Sequence, residues 1–251
     1  MRTSQLAGTA VLEVNNITVT RGRSVTLRDV SLSLVAGQTL AVVGESGAGK
    51  STLINAILGL VRCTSGQITW SGKPVPACRP ALVMQEPRSA FNPHMTLRRS
   101  VIEPLLAQRL PLEAAHLDGL CHGLEIVPDL LKRLPSEVSI GQAQRIGILR
   151  ALIARPSLVL FDEPLSALDA VTQKHTARLI ADIQRQFGFA ALVVTHDLGY
   201  AAAFADEIAV LRAGQIEELT PAADFVRAPQ SAYGHSLRNA AFALGALEQV
   251  A

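Results

Sequence analysis

Gly44-Glu45-Ser46-Gly47-Ala48-Gly49-Lys50-Ser51 has the glycine spacing, the lysine and the hydroxyl needed to wrap a chain of phosphates. Glycines let backbone N–H groups turn inward on an anion where a side chain would block the approach. Lys50 supplies a mobile positive charge for the β- and γ-phosphates, and Ser51 a hydroxyl for Mg²⁺. Thr52 follows directly and joins the candidate nucleotide contacts. Glycine-rich turns are common for purely structural reasons. The full eight-residue pattern, with a strand before it and an amphipathic helix after it, is what makes this one chemical. A metal-bound triphosphate also needs a carboxylate. Leu158-Val159-Leu160-Phe161-Asp162-Glu163 provides two at the end of an apolar strand, where α/β sheets place their ligands. Asp162 is the candidate Mg²⁺ partner, through water, and Glu163 the candidate base that polarises an attacking water. The plain alternative for this pair is an acidic strand end solvated in a loop.

These groups need elements to hold them. Thr39-Leu40-Ala41-Val42-Val43 is an unbroken β-rich run, the mark of a strand buried on both faces. From Ser51 to Leu60, the residues Leu53, Ile54, Ile57 and Leu58 share one helical face. Leu158–Phe161 and Ala191–Val194 read as two more buried strands, with a helix over Thr172–Phe187 between them. That order implies a parallel sheet. Upstream, Leu12, Val14, Ile17, Val19, Leu32 and Leu34 suggest short antiparallel strands separated by Gly22 and Asp29. Gly66–Trp70 and Ala81–Met84 are short strands, and Ile208–Leu211 with Gln215–Glu218 form a hairpin around Gly214. Between residues 96 and 154 the apolar spacing becomes helical.

The expected fold is α/β: a core with a mainly parallel sheet, an antiparallel β subdomain and an inserted helical subdomain. One domain over 1–251 divides into a β lobe (about 1–36 and 61–80), a core (37–60, 81–87 and 155–225), a helical lobe (88–154) and a short C-terminal tail (226–251). Residues 1–9 are expected to fray. At 49% hydrophobic and 18% charged the chain is globular, and a net charge of +2 argues against nucleic acid as a partner. Cys63, Cys78 and Cys121 form no paired pattern and read as reduced thiols of a cytosolic protein. The N-terminus has no charged-then-apolar signal segment. The most apolar region, Phe189 to Leu211, is broken by His196, Asp197, Asp206 and Glu207, so it does not read as a membrane span. The chain is expected to be soluble, with any membrane role exercised through a partner.

Four further features carry a family resemblance. Gln85 lies in Met84-Gln85-Glu86-Pro87. Ser139-Ile140-Gly141-Gln142-Ala143-Gln144-Arg145 lies shortly before the Asp162 strand. Ser166-Ala167-Leu168-Asp169 follows that strand, and Thr195-His196-Asp197 follows the next one. In this order, with the phosphate loop, they resemble the P-loop NTPase nucleotide-binding subunit of an ABC transporter. Gln85 matches the Q-loop, Ser139 to Gln142 the signature, Asp169 the D-loop and His196 the switch histidine.

The resemblance implies ATP and Mg²⁺ as cofactors. It also implies a second ATPase subunit packed head to tail, with each ATP held between one P-loop and the other chain's signature. Ser139, Gly141, Gln142 and Asp169 would then serve the shared nucleotide, and a helix from about Gln142 to Ala154 would point its N–H groups at the partner's γ-phosphate. Gln85 would contact Mg²⁺ and water, and His196 would hold the γ-phosphate beside Glu163. Two membrane-spanning permease subunits and an extracytoplasmic substrate-binding protein are the other implied partners, which places the chain at the cytoplasmic face of a bacterial membrane.

Two departures from the family pattern stand out. Ile140 replaces a signature glycine. With ordinary helical angles the change is harmless; with glycine-only angles it weakens the site. Arg21 occupies the place of an adenine-stacking aromatic, where it either stacks through its guanidinium plane or is a solvated turn residue beside Gly22. Glu86–Thr96 and Ala228–Leu237 resemble the corresponding segments of the peptide- and nickel-import branch. The short C-terminal form leans toward nickel or a metallophore. The alternatives are a non-transport ABC ATPase and a regulatory member of an asymmetric ATPase pair. Against the first stands a single unit without heptads; against the second stand Glu163 and His196.

Overall fold

The computed structural model describes residues 10–247. Residues 1–9, expected to fray, and 248–251 lie outside them. In chain order the strands are β1 (Ala10–Arg21), β2 (Ser24–Val35), β3 (Thr39–Val43), β4 (Ser65–Trp70), β5 (Lys73–Pro74), β6 (Ala81–Val83), β7 (Leu158–Asp162), β8 (Ala190–Thr195), β9 (Glu207–Arg212) and β10 (Gln215–Pro221). The α-helices are α1 (Lys50–Ile57), α2 (Leu97–Gln108), α3 (Ala114–Gly123), α4 (Ile140–Leu152), α5 (Ala170–Phe187), α6 (Leu198–Phe204), α7 (Ala222–Arg227) and α8 (Ala232–Ala243).

Uninterrupted apolar runs build the central sheet, ordered β10-β9-β3-β8-β7-β6. Every pairing in it is parallel except β10 against β9, which closes a hairpin. All five residues of β3 are buried, as expected for a strand covered on both faces. Alternation divides the side chains between two cores. Leu40, Val42, Leu158, Leu160, Leu192 and Val194 face α1 and the antiparallel sheet. Val159, Phe161, Ala191 and Val193 face the helical lobe, where Leu97, Val101, Leu120, Ile146 and Leu149 are buried.

The second sheet, ordered β2-β1-β4-β5, is antiparallel. Asp29 does not separate two strands as expected. β2 runs straight through it, because Asp29 (φ 52°) and Asn16 (φ 49°) of β1 both take left-handed angles at register shifts. The Asn16 amide donates to the Asp29 carboxylate at 2.8 Å, and the Asn16 N–H donates to the Ser31 hydroxyl at 2.9 Å. Local side-chain bonds thus absorb an irregularity that would otherwise end the ladder.

Two other expectations change. The helix placed from Gln142 begins at Ile140, because Ser139 caps it. The segment read as a short tail forms α8, and with α7 it packs Phe225, Tyr233, Ala241 and Leu247 against Ala41 and Val43 of β3. Among the described residues no helix is long and apolar enough to cross a membrane.

Candidate nucleotide-binding and hydrolysis site

Where β3 ends, the chain turns through residues 44–49 and enters α1. Gly49 caps that helix at φ 110°, an angle L side chains rarely adopt, and no side chain bonds the first-turn N–H groups. Those donors and the helix dipole are free for an anion. Gly44 is required by space rather than angle: any Cβ there would run into the Leu211 carbonyl oxygen of β9. Lys50 folds back over the loop. It is 7% exposed, and its ammonium donates to the Gly44 carbonyl at 2.8 Å and the Glu45 carbonyl at 3.0 Å.

The strand ends of β7 and β8 bring the acidic and histidine groups to this lysine. One Glu163 carboxylate oxygen lies 3.8 Å from the Lys50 ammonium, and the other is 3.0 Å from His196 Nδ1. Glu163 is held at φ 46° by its N–H bond to the Val194 carbonyl at 2.9 Å. Strained backbone of this kind persists where the surroundings over-determine it. Burial, and then the Glu163 charge, push the Asp162 carboxyl pKa up; Lys50 and the Ser51 hydroxyl pull it down.

A cleft of about 720 Å³ opens over these groups. It is lined by Ser46, Gly47, Gly49, Lys50, Ser51, Thr52, Gln85, Glu163 and His196. Parts separated widely in the sequence therefore meet at one opening. Ser24, Val25, Thr26, Ala213 and Gly214 complete the lining, and the sequence offers no chemical reason to select them. They arrive because the β9–β10 turn is stitched to the loop. The Gly214 N–H donates to the Ala48 carbonyl at 2.9 Å, and the Arg28 N–H donates to the Gly214 carbonyl at 2.8 Å. Arg21 is exposed at the end of β1 and does not line the cleft. The strand edge from Ser24 to Thr26 occupies that wall instead.

Ser139, Gly141, Gln142 and Asp169 also lie off this cleft. Ser139 and Gln142 form a reciprocal cap: the Gln142 N–H donates to the Ser139 hydroxyl at 3.2 Å, and the Ser139 N–H donates to the Gln142 side-chain oxygen at 2.9 Å. Ile140 is the first helical residue, 44% exposed, with φ outside the left-handed region. Its branched side chain therefore costs the backbone no strain. Gly141 packs against Thr172 of α5, whose own N-cap is Asp169. Arg88, just after Gln85, donates to the Val138 carbonyl at 2.6 Å and ties the two segments together.

The donors fit a magnesium ion. Ser51 and Asp162 offer hard oxygens on adjacent elements, and Ser51 and Gln85 line the same opening. Magnesium takes one or two such groups and fills its remaining positions with water and phosphate. Among the described residues there is no cluster of three or more His, Cys, Asp or Glu side chains, so an all-protein metal cage is not what this site offers.

A mainly parallel sheet with a phosphate loop at one strand end, and carboxylates at the next but one, defines a P-loop ATPase. Residues 27–166 match the family described as ABC transporter, and the chain belongs to that family. It is an ATPase, and its nucleotide is ATP. The oligopeptide transport ATP-binding protein OppF of Escherichia coli (strain K12) is 35% identical over 225 residues, covering 84% of this chain and 67% of that protein. OppF of Haemophilus influenzae is 37% identical over 207 residues, covering 77% and 62%. The chain thus spans roughly two thirds of these relatives' length. The solved structure of cbiO1 from Clostridium perfringens, part of the ABC transporter complex cbiONQ, aligns with a TM-score of 0.80 at 20% identity, covering 94% of this chain and 96% of that one. MJ0796, an ATP-binding cassette solved as a dimer bound to ADP and Pi, aligns with a TM-score of 0.73 at 26% identity, covering 84% and 98%.

Proposed function

We propose that this chain is the ATP-hydrolysing subunit of a bacterial peptide importer, and that residues 44–52, Gln85, Asp162, Glu163 and His196 form its own half of the ATP site. The observation that carries the site reading is the Glu163 carboxylate, held between Lys50 and His196 over the phosphate loop. Lys50 binds the β- and γ-phosphates, and the first-turn N–H groups of α1 complete the cradle. Glu163 orients water and takes its proton, while His196 fixes the carboxylate and reaches the γ-phosphate. Ser51 and Asp162 would hold Mg²⁺, which would neutralise charge developing on the phosphates.

The names of the OppF relatives support peptide as the cargo. The proposed partners are a second ATPase subunit, two permease subunits and an extracytoplasmic binding protein, with the chain at the cytoplasmic face of the membrane. Ser139, Gly141, Gln142 and Asp169 face the second ATPase in this arrangement. Their absence from the chain's own cleft supports that assignment.

Two variants test the site. Lys50→Ala should abolish MgATP binding. Glu163→Gln should bind MgATP and lose about 10²–10⁴-fold in hydrolysis, the usual worth of a positioned base. Undiminished turnover by the Glu163→Gln transporter would remove Glu163 from the mechanism.

A further inference from the structure

His196 lies on a two-residue connection held from both sides. Before it, β8 ends at Thr195 in the central sheet; after it, α6 begins at Leu198. The Asp197 N–H donates to the Thr195 hydroxyl at 3.0 Å, and the Asp197 carboxylate caps α6 by accepting from the Tyr200 N–H at 2.9 Å. The direction of the imidazole, 3.0 Å from Glu163, therefore follows from where the first turn of α6 lies. A helix of seven residues is too short to fix itself and takes its place from packing.

Part of that packing comes from the far end of the described chain. α8 is anchored at its start by Glu218 of β10, 5% exposed, which accepts from the Gln230 N–H at 2.7 Å and the Ser231 N–H at 2.9 Å. It stops at Gly245, which takes φ 69°. The Ala246 N–H donates back to the Ala241 carbonyl at 2.9 Å and the Gly245 N–H to the Phe242 carbonyl at 3.0 Å, the pair of bonds that closes a helix and redirects the chain. Residues 245–247 then lie across α6 as a strap. Leu247 is 8% exposed, in one core with Leu198 and Ala201. The Ala246 carbonyl rests on Gly199: a Cβ there would lie 2.5 Å from that oxygen and 3.2 Å from the Asp197 carboxylate. The φ of Gly199 is not left-handed, so the glycine is needed for space and not for angle. Glycine within a helix is otherwise unfavourable. Here it admits the strap against the turn that follows His196.

We propose that Gly199 is a positioning residue for ATP hydrolysis: it lets the strap of residues 245–247 clamp the first turn of α6, and the clamp aims His196 at Glu163. This rests on the assignment of Glu163 and His196 to hydrolysis. Gly199→Ala in the reconstituted transporter should lower kcat about ten- to hundredfold, the effect of displacing a catalytic group by about 1 Å. MgADP, which meets the phosphate loop and not His196, should bind the full chain with unaltered Kd, measured by calorimetry. Deleting residues 245–251 should also lower kcat. Gly199→Ala in that shortened chain should lower it no further, because the oxygen it collides with is gone. The thermal midpoint of the shortened chain should instead rise with Gly199→Ala, since alanine favours a helix over glycine. Leu247→Ala, which loosens the strap at full length, takes the place of the deletion if the shortened chain does not fold. Parental kcat in Gly199→Ala or in the strap variant, additive losses when the two are combined, or a matching loss of MgADP affinity would overturn the proposal. His196→Ala separates the two readings. If His196→Ala hydrolyses ATP at the parental rate, the site assignment falls. If it is slow and Gly199→Ala is not, only the role of Gly199 falls.

Discussion

Arg88→Met tests how the Gln85 segment is joined to the signature loop. The Arg88 guanidinium donates to the Val138 carbonyl at 2.6 Å, and Val138 immediately precedes Ser139. Hydrogen bonds from charged donors contribute about 1.5–3 kcal/mol. Arg88 is exposed as a residue, so the lower figure applies. Methionine keeps much of the aliphatic stem and leaves the Val138 carbonyl without this donor. For a domain of this size about 1.5 kcal/mol lowers the thermal midpoint by about 3–6 °C. The functional effect should be selective. MgATP binding by the isolated chain, measured by calorimetry, should not change, because Arg88 lies off the cleft. ATPase activity of the assembled transporter should fall, because the signature loop loses its tie to the Gln85 segment. Calorimetry on the chain and phosphate release by the reconstituted complex distinguish the two. Unaltered phosphate release at full complex assembly would refute the coupling. An equal loss of ATP binding in the isolated chain would also refute it.

Two further predictions concern stability and its pH dependence. Ile140→Gly should lower the thermal midpoint slightly, since glycine costs up to about 1 kcal/mol in a helix relative to ordinary residues. It should not raise ATPase activity of the assembled transporter, because Ile140 already has helical angles; a clear gain in turnover would contradict this reading. Glu207 begins β9 opposite Leu40, at the end of the sheet away from the phosphate loop, and burial first, then Asp206, raise its carboxyl pKa. Its raised folded pKa means the native state holds the proton more tightly than the unfolded chain, so this group's stabilising contribution is lost as pH rises through that pKa. Glu207→Gln should therefore melt higher than the parent at neutral pH. The gap should close as the pH falls below the unfolded glutamate value of about 4.3. A gap that persisted there, or widened, would show that burial of the charge is not its source.

Much of the site was legible because its chemistry is local. The phosphate loop reads as eight consecutive residues, and Asp162 with Glu163 end an apolar strand that burial alone makes recognisable. The rest of the cleft was not. Ser24, Val25 and Thr26 are ordinary strand residues, and they become a wall only because Arg28 bonds Gly214 and Gly214 bonds Ala48. Asp29 reads as a strand breaker by propensity, yet the Asn16–Asp29 bond carries the ladder past it. The segment over 226–251 reads in the sequence only as a short tail. Glu218, buried and accepting three bonds, turns it into a docked helix.

Ile140 and Arg21 divide the two kinds of knowledge. Residue identity and order determined the family, the nucleotide and the acidic and basic groups available to it, because those depend on side-chain chemistry at fixed short spacings. Whether Ile140 strains its backbone, whether Arg21 reaches the cleft and what Gly199 faces were decided only by tertiary structure. Each depends on dihedral angles and packing that residue identity alone does not set: Ser139 capping α4, the edge of β2 filling the wall, and Gly245 turning Ala246 onto α6.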